Sequence, residues 1–344
     1  MKRVFSLIFL AMIFLTGTAF AQVNKPLSQE PNVKAFMNHM VKKYHFNKQD
    51  LIKWFSTVHV VQESNPNTMS HNIVHRMKHQ QTFTPWYQYK KLFINDSRII
   101  PGIAYWKKNQ KWLDKANTMY GVPQSIIVAT IGVESKYGEQ MGAFPIFKAL
   151  STLAFQYSKR NGYFTKELIA YLLYCKHNDI SPLTIMGSYA GAIGQPQFMP
   201  QSLNLYAVDF DGKGKVSLIH SSADAIGSVG NFYHKNHWSR NEPVAVPAVL
   251  KGPKPWVLFK KNPLPSMTLK KFASYGITPK ETIKDQNLPA TLIALKEKGN
   301  KKQYWLAFHN FDVIKNYNNS TNYAMSIYLL SQTLRQKYDE SLKQ

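Results

Sequence analysis

Tyr120-Gly121-Val122-Pro123-Gln124-Ser125-Ile126-Ile127-Val128-Ala129-Thr130-Ile131-Gly132-Val133-Glu134-Ser135-Lys136-Tyr137-Gly138 is the stretch whose reading decides the fold of this 344-residue chain. Gly121 and Pro123 mark a helix start, because proline in the first turn gives up no N–H that the helix needs. Gly138 is a natural terminator. At about 100° per residue, Ile127 lies about 20° and Ile131 about 60° around the helix from Glu134, so the carboxylate projects from the apolar stripe. Moving a carboxylate toward low dielectric disfavours its charged form and raises its pKa. A general acid for a glycosidic oxygen needs that property at neutral pH. The same residue also reads as a solvated helix end, or as a partner for a basic side chain such as Lys136.

Outward from this helix, helical patterning covers Ile103–Tyr120, Gly121–Lys176, Ser222–His237 and Asn322–Tyr338, with short helices expected between Glu30 and Gln80. Residues 242–304 differ. They are rich in proline, and Val244-Ala245-Val246, Trp256-Val257-Leu258-Phe259 and Thr291-Leu292-Ile293-Ala294-Leu295 read as strands of a small β-rich insertion. The expected fold class is mainly α (α+β). The expected divisions are a signal peptide (1–21), a helical N-terminal region (22–110), a helical core (111–241), the β-rich insertion (242–304) and a C-terminal helical part returning to the core (305–344). Within the N-terminal region His71, His75 and His79 share one helical face. With no H-E-x-x-H glutamate or paired carboxylate beside them, they read as a solvated or packed face rather than a metal site.

Composition sets the remaining bounds. A hydrophobic fraction of 44% excludes wholesale disorder. The single cysteine, Cys175, excludes an intramolecular disulfide and a Cys-clustered zinc site. Forty-three Lys+Arg against 19 Asp+Glu give a formal net charge of +24. That charge suits nucleic acid, an anionic membrane surface or an anionic polymer. The first residues narrow the choice. Met1-Lys2-Arg3, the apolar run Val4–Leu15 and Ala19-Phe20-Ala21 follow the order of a secretory signal peptide, with cleavage expected after Ala21. The run is shorter than the roughly 18 apolar residues of a membrane span. A lipid anchor needs a cysteine at the cleavage site, where there is none. A soluble periplasmic chain is therefore expected. Export makes chromosomal DNA an unsuitable target, and Lys251–Lys261 and Lys296–Lys302 read as solvated loops outside any nucleic-acid-binding motif.

The segment Gly187-Ser188-Tyr189-Ala190-Gly191-Ala192-Ile193-Gly194-Gln195-Pro196-Gln197-Phe198-Met199-Pro200 combines small residues, two amides and aromatics. Glycines let a sugar chain approach the backbone, and amides hydrogen-bond its hydroxyl and acetamido groups. A tight turn packed between helices is the plainer reading. Taken with Gly132-Val133-Glu134-Ser135 and Tyr137-Gly138, and with the closing Tyr317-Asn318-Asn319-Ser320-Thr321-Asn322-Tyr323-Ala324-Met325, this segment closely resembles the lytic murein transglycosylase B family. The resemblance runs in one order from about Pro85 to Leu330, and three motifs in register are far more specific than any one.

The resemblance implies a lysozyme-like helical core that cleaves the MurNAc–GlcNAc β-1,4 bond of peptidoglycan without water and without a cofactor. Glu134 matches the family's catalytic glutamate, acting as acid and then as base while the MurNAc C6 hydroxyl attacks C1. Ser188, Tyr189 and Gln197 match positions lining the cleft, and Tyr317, Asn318 and Tyr323 match its C-terminal contribution. Tyr89 and Tyr157 correspond to aromatic groove positions, where flat sugar faces stack on rings. Two positions depart from the pattern: Tyr189 stands where some relatives have phenylalanine, and Phe232 where a cleft tyrosine is expected. Implied partners are peptidoglycan glycan strands and wall-synthesis machinery; nucleic acid and an integral membrane segment after signal cleavage are not among them. A muramidase that uses water and a non-catalytic wall-binding or scaffold protein are the alternatives consistent with the same residues.

Asp209-Phe210-Asp211-Gly212-Lys213-Gly214-Lys215 resembles the start of an EF-hand loop, and some members of the family bind calcium there. This chain places Lys213 at loop position five and His220 at position twelve, where oxygen ligands belong, with Asp224 farther on. A metal-free loop in which Lys213 pairs with the aspartates is expected.

Overall fold

The computed structural model describes residues 25–61, 67–79, 84–259 and 263–343; the expected signal peptide lies outside them. The N-terminal helices are α1 (Pro31–Tyr44), α2 (Lys48–Ser56), α3 (Met69–Lys78) and α4 (Trp86–Tyr89). They lead into α5 (Asp96–Lys108), α6 (Gln110–Tyr120) and α7 (Gln124–Ser135). After β1 (Phe144–Pro145) come α8 (Ile146–Gln156), α9 (Asn161–His177), β2 (Met186–Gly187), α10 (Pro200–Tyr206) and α11 (Ser222–Lys235). The insertion holds β3 (Ala245–Leu250), α12 (Pro255–Leu258), β4 (Ser266–Thr268), α13 (Leu269–Ser274), β5 (Ile277–Pro279), β6 (Pro289–Lys296) and β7 (Lys302–Ala307). Finally α14 (His309–Lys315) and α15 (Thr321–Ser341) return to the helical body. The fold is mainly helical, with a small antiparallel sheet ordered β4-β6-β7-β3-β5.

Helix α7 is the axis of the body. It is packed by α5, α6, α11 and α15, and Ile126 through Val133 are buried without interruption. Its apolar residues therefore cover the whole circumference rather than one stripe, as a helix enclosed by neighbours requires. The expected single helix Ile103–Tyr120 is two helices, α5 starting earlier and ending at Lys108. At the break, the Asn109 side chain donates to the Tyr105 carbonyl over 2.9 Å, a local bond that competes with the helical ladder. The run Trp256–Phe259, expected as a strand, begins with the short helix α12. Pro255 sits at its first turn, where a missing N–H costs nothing, while in a strand it removes a ladder donor. The insertion carries its own small core, in which Leu258, Leu269, Phe272, Leu292 and Leu306 are buried together.

The end of α7 is closed by an unusual backbone path. Lys136 and Tyr137 have φ of 51° and 61°, and Gly138 has φ of 94°. Two non-glycine residues in the left-handed region are held there by what they enable. Lys136 N–H donates to Gly132 O and Tyr137 N–H to Ile131 O, satisfying carbonyls of the last turn. The Tyr137 ring then folds back over Gly132, and its hydroxyl donates to Arg98 O at 2.8 Å. A Cβ on Gly132 would stand 2.5 Å from Tyr137 Oη and 2.6 Å from Cζ. Gly132→Ala is accordingly expected to destabilise the fold by about 1–3 kcal/mol, the cost of overpacking a rigid site. A thermal or urea melt checks this, and an unchanged midpoint would mean that the Tyr137 ring can move away freely.

Candidate active site

Glu134 stands in the last turn of α7, half-buried beside a cavity of about 160 Å³. Gln197, Phe198, Met199, Ser202, Phe232, Asn316, Tyr317 and Asn318 line the rest of it. Burial pushes the Glu134 carboxyl up to about 7, while a hydrogen bond from the Tyr323 hydroxyl to Oε1 opposes the rise. The apolar-face reading of the sequence thus describes the residue's surroundings. Lys136 does not pair with it; its ammonium lies 2.8 Å from Glu139 instead. Burial alone does not make such a site. Glu167 is buried more deeply, but it accepts from Gln201 N at 2.9 Å and Gln201 Nε2 at 2.8 Å and does not line this cavity. A roomier hollow of about 400 Å³ beside Trp54 and Asp179 is bordered by the one cysteine, whose thiol burial pushes up to about 12, away from the reactive thiolate.

Three tyrosines surround the carboxyl. Tyr323 comes from the first turn of α15, which Ser320 caps by accepting from Tyr323 N–H at 3.3 Å. Tyr317 precedes that helix and donates to Pro196 O at 2.5 Å, its ring packed at a tilt against Phe232 with centroids 4.6 Å apart. Tyr233, on α11, meets the Thr130 hydroxyl at 2.8 Å, and Thr130 in turn donates to Ile126 O at 2.8 Å. Burial first, and then the Glu134 charge among its neighbours, pushes the hydroxyls of Tyr317 and Tyr323 well above their ordinary value. All three stay neutral near pH 7, so Tyr323 acts on Glu134 as a donor and never as a competing anion.

The 187–200 loop is tied to the end of α7 through Ser135, whose hydroxyl donates to Gln195 O at 2.7 Å and accepts from Gly138 N–H at 3.0 Å. Gln195, absent from the sequence candidates, is 5% exposed and takes a 3.0 Å hydrogen bond from the Tyr105 hydroxyl. Gln197 has φ of 49°, and its amide nitrogen donates to Gly194 O at 2.8 Å and Met141 O at 3.1 Å. With both donors engaged, what it offers a substrate is its carbonyl oxygen. Ser188 accepts from Ala192 N–H at 2.9 Å and Ala190 N–H at 3.3 Å, so its own proton remains for donation outward.

The structure brings Gln197, Tyr317, Asn318 and Tyr323 together with Glu134. Tyr89 is near enough for the Glu134 charge to push its hydroxyl upward, after burial. Ser188 and Tyr189 lie farther along the same loop, with Tyr189 edge-on to Phe144 and under the Arg76 guanidinium. Tyr157 is buried against Phe164 and does not line the cavity. Phe232, read as a departure from a tyrosine, closes one wall with its ring and contributes no hydroxyl. Tyr233 and Ser202 were missed because no local motif marks them; they arrive by the packing of α10 and α11.

Known proteins resemble this chain over most of its length. Residues 28–332 match the family model described as transglycosylase SLT domain. The chain is 34% identical over 323 residues to membrane-bound lytic murein transglycosylase B of Escherichia coli, covering 91% of this chain and 85% of that one. The crystal structure of soluble lytic transglycosylase SltB1 from Pseudomonas aeruginosa superposes with a TM-score of 0.80 at 33% identity, covering 89% of this chain and 99% of that one. The Escherichia coli lytic transglycosylase Slt35, solved in complex with calcium, gives a TM-score of 0.80 at 34% identity over 92% of this chain and 96% of that one.

The calcium of that relative prompts a test of the donor set here. Carboxylate oxygens of Asp209, Asp211 and Asp224 lie within 4.8 Å of one another. Lys213 Nζ sits 3.0 Å from Asp211 Oδ2, and Ser221 Oγ donates to the same oxygen at 3.1 Å. Asp224 accepts from Phe210 N–H and Ser217 N–H, both at 2.9 Å, and Asp209 from Lys213 N–H at 3.0 Å. An ammonium at a position that must supply an oxygen repels a dication, so these residues do not fit calcium.

Two outcomes follow. Calorimetric titration with calcium should give no saturable heat; a one-to-one isotherm lost in Asp209→Ala would overturn the assignment. The second outcome concerns Glu134, whose folded-state pKa lies above its unfolded value. It therefore supports the fold at low pH, and that support is lost as pH rises from about 4.5 through about 7. Glu134→Gln removes the loss, so its stability relative to wild type should grow by roughly 1–3 kcal/mol between pH 4 and pH 8. Parallel melts across pH test this, and a constant difference would place the titration elsewhere.

Proposed function

The chain belongs to the transglycosylase SLT domain family, and from that premise we propose that it is a lytic transglycosylase of peptidoglycan in which Glu134 alone performs the acid and base work. The observation that carries the reading is the desolvated Glu134 carboxyl with the Tyr323 hydroxyl on its Oε1. With a pKa of about 7, both protonation states are accessible at neutral pH, as a group that first gives and then takes a proton requires.

In the first half Glu134, protonated by virtue of its burial, gives its proton to the glycosidic oxygen between MurNAc and GlcNAc as the C1–O bond breaks. The carboxylate left behind is stabilised by the Tyr323 donor. In the second half it takes the proton of the MurNAc C6 hydroxyl while that oxygen bonds to C1. The products are a 1,6-anhydro-MurNAc end and a new GlcNAc end, with no water consumed and Glu134 again protonated. Among the described residues Glu134 is the only carboxylate lining the cavity, which favours this route over the paired carboxylates of ordinary glycosidases. Gln197, through its carbonyl, and Ser188, through its proton, are assigned to orient the sugar. Asn318, exposed at the rim, and the Tyr89 and Tyr189 rings are assigned to the strand's path. No helix among the described residues is long and apolar enough to cross a membrane, and the periplasm is the proposed location, where this polymer lies.

Mass spectrometry of digested sacculi tests the assignment. Wild type should release anhydro-MurNAc ends, lighter by one water than reducing ends. Glu134→Gln should lower release by roughly 10²–10⁴-fold. Reducing ends alone would establish a muramidase, and an undiminished Glu134→Gln would remove Glu134 from the chemistry.

A further inference from the structure

The small core of the insertion fixes both ends of α12: Pro255 and Leu258 are buried, the latter at 1% exposure. One helical turn cannot bury all four of its residues, and Trp256 and Val257 face outward at 54% and 56% exposure. They are not loose. The Trp256 ring is braced by Phe259 at 5.4 Å and edge-on by Tyr304 at 6.3 Å. A single exposed apolar residue needs no explanation, whereas an adjacent, braced pair is a candidate contact surface. Lysines border it. Lys251 and Lys254 are exposed just before α12, and the Lys251 N–H bonds to Gly276 O at 2.8 Å, alongside the turn where Lys271 lies over Tyr275. Residues 242–304 hold twelve lysines against four acidic residues.

We propose that this tip of the insertion is a docking surface for an anionic lipid bilayer, with Trp256 and Val257 entering the boundary between headgroups and acyl chains. Tryptophan favours that boundary because its ring is apolar and its N–H stays hydrated. Shallow apolar insertion and lysine attraction to lipid phosphates are each weak, and the two together hold a protein at a bilayer. Charge complementarity selects this occupant. A second copy of the chain would oppose lysines to lysines. A glycan strand would use the Trp256 face but gain nothing from Val257, whose aliphatic side chain offers no partner to hydroxyls.

Sedimentation of the purified mature chain with vesicles tests the proposal. Phosphatidylglycerol-containing vesicles should bind it, pure phosphatidylcholine vesicles should not, and high salt should release it. The W256S/V257S variant should bind roughly tenfold more weakly. Its circular dichroism and its release of anhydro ends from sacculi should match wild type, since both side chains are exposed and outside the cavity. The K251Q/K254Q variant should bind more weakly and with less salt dependence. Equal binding to both vesicle types, no binding, or undiminished binding by W256S/V257S would overturn the proposal. So would a W256S/V257S variant that keeps its vesicles but loses isolated glycan strands, which would make the tip a sugar platform.

Discussion

A carboxyl group withdrawn from water must keep its proton or find a donor, and the contact between Glu134 and Tyr323 answers that constraint. It joins residues 189 positions apart, so it exists only when the first turn of the last helix has returned to the end of α7. Burial lifts the carboxyl and the hydroxyl holds it down, and their balance leaves the group at about 7. Neither influence suffices alone. Burial without a donor makes a proton that is hard to give up, and a donor without burial makes an ordinary ionised glutamate.

The surrounding structure serves that balance. Helix α7 is enclosed by four helices, which bury it through Val133, and the left-handed path at Lys136 and Tyr137 stops it one residue after Glu134. Ser135, next in the chain, ties the stop to the 187–200 loop through Gln195 O. The loop's amides are thereby referenced to the same helix end as the carboxyl. The left-handed conformation of these two residues fixes where the loop stands relative to Glu134.

Much of this was legible in sequence. Pro123 and the apolar run marked α7, although it stops at Ser135 on the left-handed Lys136 and Tyr137 rather than at Gly138, and the placement of Glu134 among isoleucines pointed to its burial. The Gly-rich loop and the Tyr317–Met325 motif gave two of the walls. What was not legible came from tertiary packing. Nothing local distinguishes Tyr233 or Ser202, which reach the site because α11 and α10 cross it, and Gln195 looks like its neighbour Gln197 although one is structural and the other faces the cavity. The strand expected at Trp256–Phe259 failed because prolines at 253 and 255 outweigh a short apolar run whose β tendency depends on neighbours.

The net charge of +24 and the small cavity have one explanation between them. A cavity of about 160 Å³ is below the roughly 300–1,000 Å³ of sites that enclose a small ligand. It suits one point along a polymer whose remaining length lies outside. Such a substrate is bound mainly by surface beyond the reacting bond, and a basic surface raises its local concentration without shaping the chemistry. The division follows from the physics. On the proposed reading, screened, long-range charge gathers the chain to its polymer, while one desolvated carboxyl set among three tyrosines carries the cleavage.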